Sequence, residues 1–311
     1  MAALSFIKGL APRRRGARSA GRLAVIAWSI AMAALAGSAS SFLLGGGDGA
    51  HAIVAASEHH GDAHEPDAHE PAPEAPKHVD PTEFRRPPPP PDDRPRIAVI
   101  VRGLGVSAAL TTAAIEKLPP EVTLGLSVYG RTLQKQLDAA RAAGHEVFLD
   151  IPVEPMGFPN NDAGPKALLT SLSPAENAER LTWDLERATG YAGLVFAPGG
   201  PALDDKETLA PLVALDAAHG LVWTHVRARG LEDAQAALAT ADLVIDAAAG
   251  AEKIDAALEQ LEALARSKGS AIGLANAYPV SVGRLVAWSA ELEARGIQLV
   301  PVSALSVSPA S

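Results

Sequence analysis

The sequence predicts an α/β protein built on a parallel sheet, and three observations carry that class. From residue 96 onward, short apolar runs alternate with helical patterns over about 210 residues, and alternation on that scale builds a parallel sheet, open or closed into a barrel. The first run, "RIAVIVRGLG" at 96–105, is apolar without a break from Ile97 to Val101, as a strand covered on both faces must be. Seven or eight such runs favour the barrel. This first strand ends in Arg102, a cation at the carboxyl end, where α/β proteins bind their ligands.

The barrel pattern is preceded by two other regions. Residues 1–22 carry Lys8, Arg13, Arg14, Arg15, Arg18 and Arg22 and no acid, and residues 23–45 carry no charge. An uncharged stretch of that length spans a bilayer core, and its basic flank stays in the cytoplasm. The expectation is a single-pass inner-membrane protein whose remainder faces the periplasm. A cleaved signal peptide, for which "AGSASS" offers small residues, is the alternative. Residues 46–95 hold "HHGDAHEPDAHEPAPEAP", "RRPPPPPDDRP" and six of the nine histidines, His51 to His78. Such a composition forms no core and reads as a disordered, extended tether, with weak metal capture by its histidines as the competing reading.

In the folded region the predicted strands are 97–101, 122–127, 146–151, 192–196, 221–225, 243–246, 271–275 and 297–300. The helices between them have local reasons to form. In "RTLQKQLDAARAAG", Leu133, Leu137 and Ala140 share a face and Gly144 stops the helix. In "SPAENAERLTWDLERATG", Ser173 caps, Pro174 takes the first helical position, Glu176 completes a capping box and Gly190 ends the run. "GAEKIDAALEQLEALARSKG" and "PVSVGRLVAWSAELEARG" supply two more. The absence of cysteine removes disulfides, Cys-ligated zinc and thiol catalysis, and the net charge of −9 argues against nucleic acid as a partner.

The strand ends give the candidate site residues: Arg102, Asp150, Glu154, Ala197, Thr224, His225, Arg227, Asp246, Asn276 and Tyr278. Trp223 alternates with His225 and is expected on the same side. His145, before a strand, reads as a packing residue.

The ordered segments "RIAVIVRGLG", "LPPEVTLGLSVYG", "GHEVFLDIPVEPMGFPNNDAGPKALLTSLS", "GYAGLVFAPGG", "GLVWTHV", "GSAIGLANAYPVSV" and "RGIQLVPVSAL" resemble the divergent polysaccharide deacetylases, relatives of the NodB-type carbohydrate esterases. The resemblance covers residues 96–305. It implies an irregular (β/α) barrel of about seven strands and metal-assisted hydrolysis of an N-acetyl group on a glycan, with a divalent ion polarising the carbonyl and its water. Members with the full site carry Asp-Asp where this chain has Arg102 and Gly103, and Asn-His where it has Phe196 and Ala197. They carry Asp-Ser where it has Thr224 and His225, and Gly-His-Pro-His where it has Gly273, Leu274, Ala275 and Asn276. Here the resemblance implies the scaffold without its metal. Arg102 is then expected to pair with Asp150 or Glu154, or to receive an anionic ligand group in its fork.

The expected function is therefore that of a membrane-anchored, periplasm-facing domain that binds a cell-envelope glycan or an envelope protein and needs no cofactor. Arg102, Glu154, Trp223, His225 and Asn276 are expected on one rim as its binding residues. The alternatives are an active deacetylase with Asp150, Glu154 and His225 around a divalent metal such as zinc, and a non-enzymatic assembly partner of envelope machinery.

Overall fold

Each of the eight apolar runs becomes a strand and β6 is added to them: β1 (Arg96–Leu104), β2 (Thr123–Ser127), β3 (Val147–Ile151), β4 (Gly193–Phe196), β5 (Val222–His225), β6 (Ala237–Thr240), β7 (Leu243–Val244), β8 (Ser270–Asn276) and β9 (Gln298–Leu299). Between them lie α1 (Ala108–Lys117), α2 (Leu133–Ala142), α3 (Pro174–Leu185), α4 (Lys206–His219), α5 (Ala251–Lys268) and α6 (Pro279–Ser289). The computed structural model describes residues 81–90, 92–219, 221–226, 228–231 and 237–307. The expected anchor at 23–45, the tether up to residue 80 and Arg227 lie outside them. Among the described residues no helix is long and apolar enough to cross a membrane.

The strands pair in parallel in the order β6-β5-β4-β3-β2-β1-β8-β7. β1 gives one edge to β8 along Arg96–Arg102, while its other edge is shared, β9 meeting Arg96 and Ile97 and β2 meeting Ile100 and beyond. β6 and β7 end the path, so the sheet curls into a barrel left open along one seam. Seven strands have four residues or more and two have only two, which is how about seven expected strands become nine.

Alternation sorts the strand residues into two layers. Ala98, Ile100, Phe148, Val195, Val222, Ile272 and Leu274 fill the barrel interior, while Val99, Leu149, Leu194 and Trp223 belong to the larger cluster under the helices. Burying each Val, Leu, Ile or Phe contributes roughly 1.5–3 kcal/mol, so both faces of the sheet stabilise it. The amino-terminal cap of α3 forms as the spacing predicts, and the helix ends at Leu185, short of the expected stop at Gly190. The Ser173 side chain accepts from the Glu176 N–H, and the Glu176 carboxylate accepts from the Ser173 N–H and hydroxyl. Gly269 ends α5 in the left-handed conformation.

Two features depart from expectation. β6 lies in the alanine-rich "ALAT", whose residues favour helix, and pairing with β5 from Val222↔Ala237 to His225↔Thr240 overrides that preference. The tether also docks before its expected end at residue 95. Pro81–Phe84 forms a 3-10 turn, Phe84 packs on the interior cluster, and the Arg86 guanidinium reaches Glu121 Oε1 and the Gly144 carbonyl, both at 2.8 Å. The carboxyl-terminal segment crosses the same end, the base of the barrel. The Val302 N–H donates to Thr123 Oγ1, the Ser303 N–H donates to Glu146 Oε1, and Val307 bridges Leu238 on β6.

Candidate functional site

The opposite end, the mouth, is where the inward rows finish. Ala98 and Ile100 lead to Arg102, Phe148 to Asp150, Val195 to Ala197, Val222 to Thr224, and Leu274 to Asn276. Gly125 on β2 makes room there, because a Cβ on it would lie 3.1 Å from Arg102 Cα and 2.9 Å from Val195 Cγ1. Arg102 and Asn276 are register partners on adjacent strands.

Arg102 is held on both sides. Its Nε and Nη2 donate to Asp150 Oδ1 at 3.2 and 3.0 Å, and its Nη1 donates to Asn276 Oδ1 at 2.9 Å. The Gly103 N–H takes the other Asp150 oxygen at 3.0 Å. Asn276 in turn donates from its amide nitrogen to Asp246 Oδ1 and from its backbone to Asp246 Oδ2, each at 2.9 Å, and the Ser281 hydroxyl donates to Asp246 Oδ2 at 2.7 Å. The result is one chain of groups from β3 through β1 and β8 to the start of α6. Burial pushes the Asp150 carboxyl above its ordinary range, and Arg102 and the Gly103 N–H pull it back. Three of the five guanidinium N–H donors are used in these bonds, which leaves one on each Nη. Arg102 and Asp150 line a pit of about 140 Å³ with Ser127, Tyr129, Pro152 and Ala197.

The structure brings Arg102, Asp150, Asn276 and Asp246 into one network with Ala197 at the pit, and leaves Glu154, Trp223, His225 and Tyr278 outside it. Glu154 is buried, but its Oε2 accepts from the Thr170 N–H and hydroxyl, both at 2.8 Å, so Arg102 pairs with Asp150 and not with Glu154. The expectation of one rim is corrected for Trp223 and His225. Trp223 packs in the outer cluster against the helices, and alternation sends His225 to the same side, away from the pit. Burial holds the His225 imidazole below its usual range, and neither ring nitrogen has a partner among the described residues. Thr224 is the inward residue between them, its hydroxyl buried and also unpartnered. Tyr278 is exposed on the loop after β8, and His145 is a packing residue whose ring nitrogens meet the Val122 and Ile115 carbonyls.

A family model described as divergent polysaccharide deacetylase matches residues 99–306. The chain belongs to that family. Among solved structures, an uncharacterized protein from Agrobacterium tumefaciens C58 is 34% identical, with a TM-score of 0.69 over 73% of this chain and 95% of the other. A protein from Mycobacterium smegmatis described as a "putative polysaccharide deacetylase" matches at 13% identity and a TM-score of 0.46, over 69% and 90% of the two chains. No curated protein matches.

The side chains of this divergent deacetylase do not fit the metal that the resemblance implies. Arg102 stands where the resemblance expects a metal-facing carboxylate, and it occupies Asp150 Oδ1 with two of its donors. Among the described residues no three His, Asp or Glu side chains converge as ligands. Sequence reasoning missed Ser127 and Tyr129 in the pit. It also missed a second concavity beside it, walled by Met156, Phe158, Val226 and Asp204. A signal for that one was present in "PVEPMGFP", two large apolar residues set among prolines in a loop that should be polar.

Proposed function

We propose that this domain is a metal-independent, non-hydrolytic glycan-binding module of the bacterial envelope, held at the inner membrane by residues 23–45 and exposed to the periplasm. The observation that carries this reading is the Arg102–Asp150–Asn276 network, which stands where a deacetylase needs an empty metal position. A guanidinium and a divalent ion repel, and screening is weak in a partly buried site. The two N–H donors that Arg102 keeps suit a carboxylate or acyl oxygen of a sugar, and the pit is sized for such a group rather than for a whole ring. An active deacetylase using Asp150, Glu154 and His225 would need those groups to converge, and they occupy three separate environments.

The test uses residues 81–311. The fragment is expected to purify without stoichiometric zinc, to release no acetate from N-acetylated oligosaccharides and to bind a carboxylate-bearing peptidoglycan disaccharide. Arg102→Lys keeps the charge and loses the fork, so it should weaken that binding about tenfold or more. One tightly held metal per chain together with acetate release would replace this reading with the enzyme. For the topology, a reporter fused after Ser311 should be active only when exported, and activity of a cytoplasm-only reporter there would contradict the periplasmic placement.

A further inference from the structure

The mouth carries a second concavity that the glycan reading leaves unused. It is a groove of about 620 Å³ between the loops that follow β3, β4 and β5, within the size range of ligand pockets. Pro155, Met156, Phe158 and Val226 supply apolar wall, and Glu154 and Asp204 are the charged residues of the lining. Met156 is 73% exposed. A single exposed methionine is ordinary, but here there is a pattern. Five large apolar side chains are exposed among the described residues, and four of them, Val106, Met156, Tyr278 and Val280, lie just after strand carboxyl ends. Apolar exposure gathered on one face marks an interaction surface. The groove is also built into the backbone. Gly200 has φ +101°, and a Cβ on it would lie 2.2 Å from the Glu154 carbonyl oxygen, so glycine lets the β4 loop lie directly against the β3 loop.

We propose that this groove docks an extended segment of an envelope protein, seating an apolar side chain against Met156 and Phe158 and a lysine or arginine beside Asp204 and Glu154. Charge selects the occupant. Among the described residues the lining has two acidic side chains and no cation, a balance that disfavours the acidic sugar that suits the Arg102 pit and favours a basic peptide. The two concavities share Pro155, but the groove does not depend on the glycan reading of the pit.

The experiment uses the full chain in lipid nanodiscs and three labelled synthetic peptides read by fluorescence polarisation. One sets leucine and lysine in a serine background, the second replaces lysine by glutamate, and the third replaces leucine by serine. The first is expected to bind, and either replacement to weaken binding about tenfold or more. Met156→Asp should weaken it likewise, and Asp204→Lys should shift preference toward the glutamate peptide. Both positions are exposed, and an unchanged urea midpoint checks that each variant folds. Equal binding of all three peptides, or leucine–lysine binding untouched by both substitutions, would overturn the proposal. So would displacement of the peptide by a neutral N-acetylated oligosaccharide, which assigns the groove to sugar, or self-association abolished by Met156→Asp, which assigns it to a second copy. Binding of the acidic disaccharide should persist in Met156→Asp, which separates the fate of the groove from that of the pit.

Discussion

The two ends of the barrel handle their polar groups differently. At the base, Glu146 is buried and accepts from Thr123 Oγ1, the Ser303 N–H and the Arg86 N–H, at 3.2, 3.2 and 3.4 Å. His145 beside it has each ring nitrogen within hydrogen-bond distance of a backbone carbonyl oxygen. The chain's own segments, 81–86 and 302–307, close that end. At the mouth Arg102 keeps spare donors, the Thr224 hydroxyl has no partner, and large apolar side chains stand in solvent. A buried polar group costs free energy unless it is bonded. The base meets most of that cost from within the chain, with Arg86 Nε and Gln298 Oε1 left without a partner among the described residues, while the mouth carries its unpaired groups beside an open pit. The same contrast appears in many α/β barrels, where one end serves stability and the other function.

Substitutions at each end sharpen the contrast. The largest loss is expected for Arg102→Ala. It leaves Asp150, 5% exposed on its side chain, buried with only the Gly103 N–H as a partner, and breaking a buried pair in this way costs about 3–5 kcal/mol in a urea melt. If Arg102 were a solvated rim residue, the midpoint would hardly move. Next is Glu146→Ala at the base. It strands three donors, of which the Thr123 hydroxyl is buried and the Ser303 and Arg86 N–H groups are partly buried, and a loss of about 2–3 kcal/mol is expected with disaccharide affinity unchanged. An affinity that fell with stability would dissolve the distinction between the ends.

A smaller change of a different kind is expected behind the pit. Asp184 on α3 is fully buried, neither oxygen has a hydrogen-bond partner among the described residues, and burial pushes its carboxyl up to about 8, against the pull of Lys166 and Arg180. Its folded value lies above its unfolded one, so the folded state holds the extra proton between about pH 4 and pH 8. Its contribution to stability is therefore complete below the unfolded value and is lost as pH rises toward 8. Asp184→Asn should flatten the pH dependence of the urea midpoint in that window, and an unchanged slope would show that another group titrates there. The smallest effect is expected at the α3 cap, where Ser173→Ala should cost about 1 kcal/mol and leave binding untouched.

How far the sequence carried depended on what each pattern encodes. Unbroken apolar runs located eight strands because both faces of a parallel sheet are covered. The same property hid which way Trp223 and His225 point. Val222, Trp223, Thr224 and His225 are all buried, so no polar face marks the inside, and only the packing of Val222 in the interior cluster settles the direction. Arg102 was legible because a cation at a strand end has no packing reason to be there. Its choice of Asp150 over Glu154 was not, since the turn at Pro152 and the bridge from Val153 to Leu168 carry Glu154 toward Thr170. β6 was invisible because alanine carries no strand signal. The groove was missed because its walls come from three loops that only the curl of the sheet brings together.

Metal-independent binding at the mouth is tested most directly by a calorimetric titration of residues 81–311 with the carboxylate-bearing disaccharide, with and without EDTA, followed by assay of the cell contents for acetate. The same Kd in both and no acetate in either are expected. Binding or acetate release that disappears in EDTA and returns with added zinc would contradict metal-independent binding.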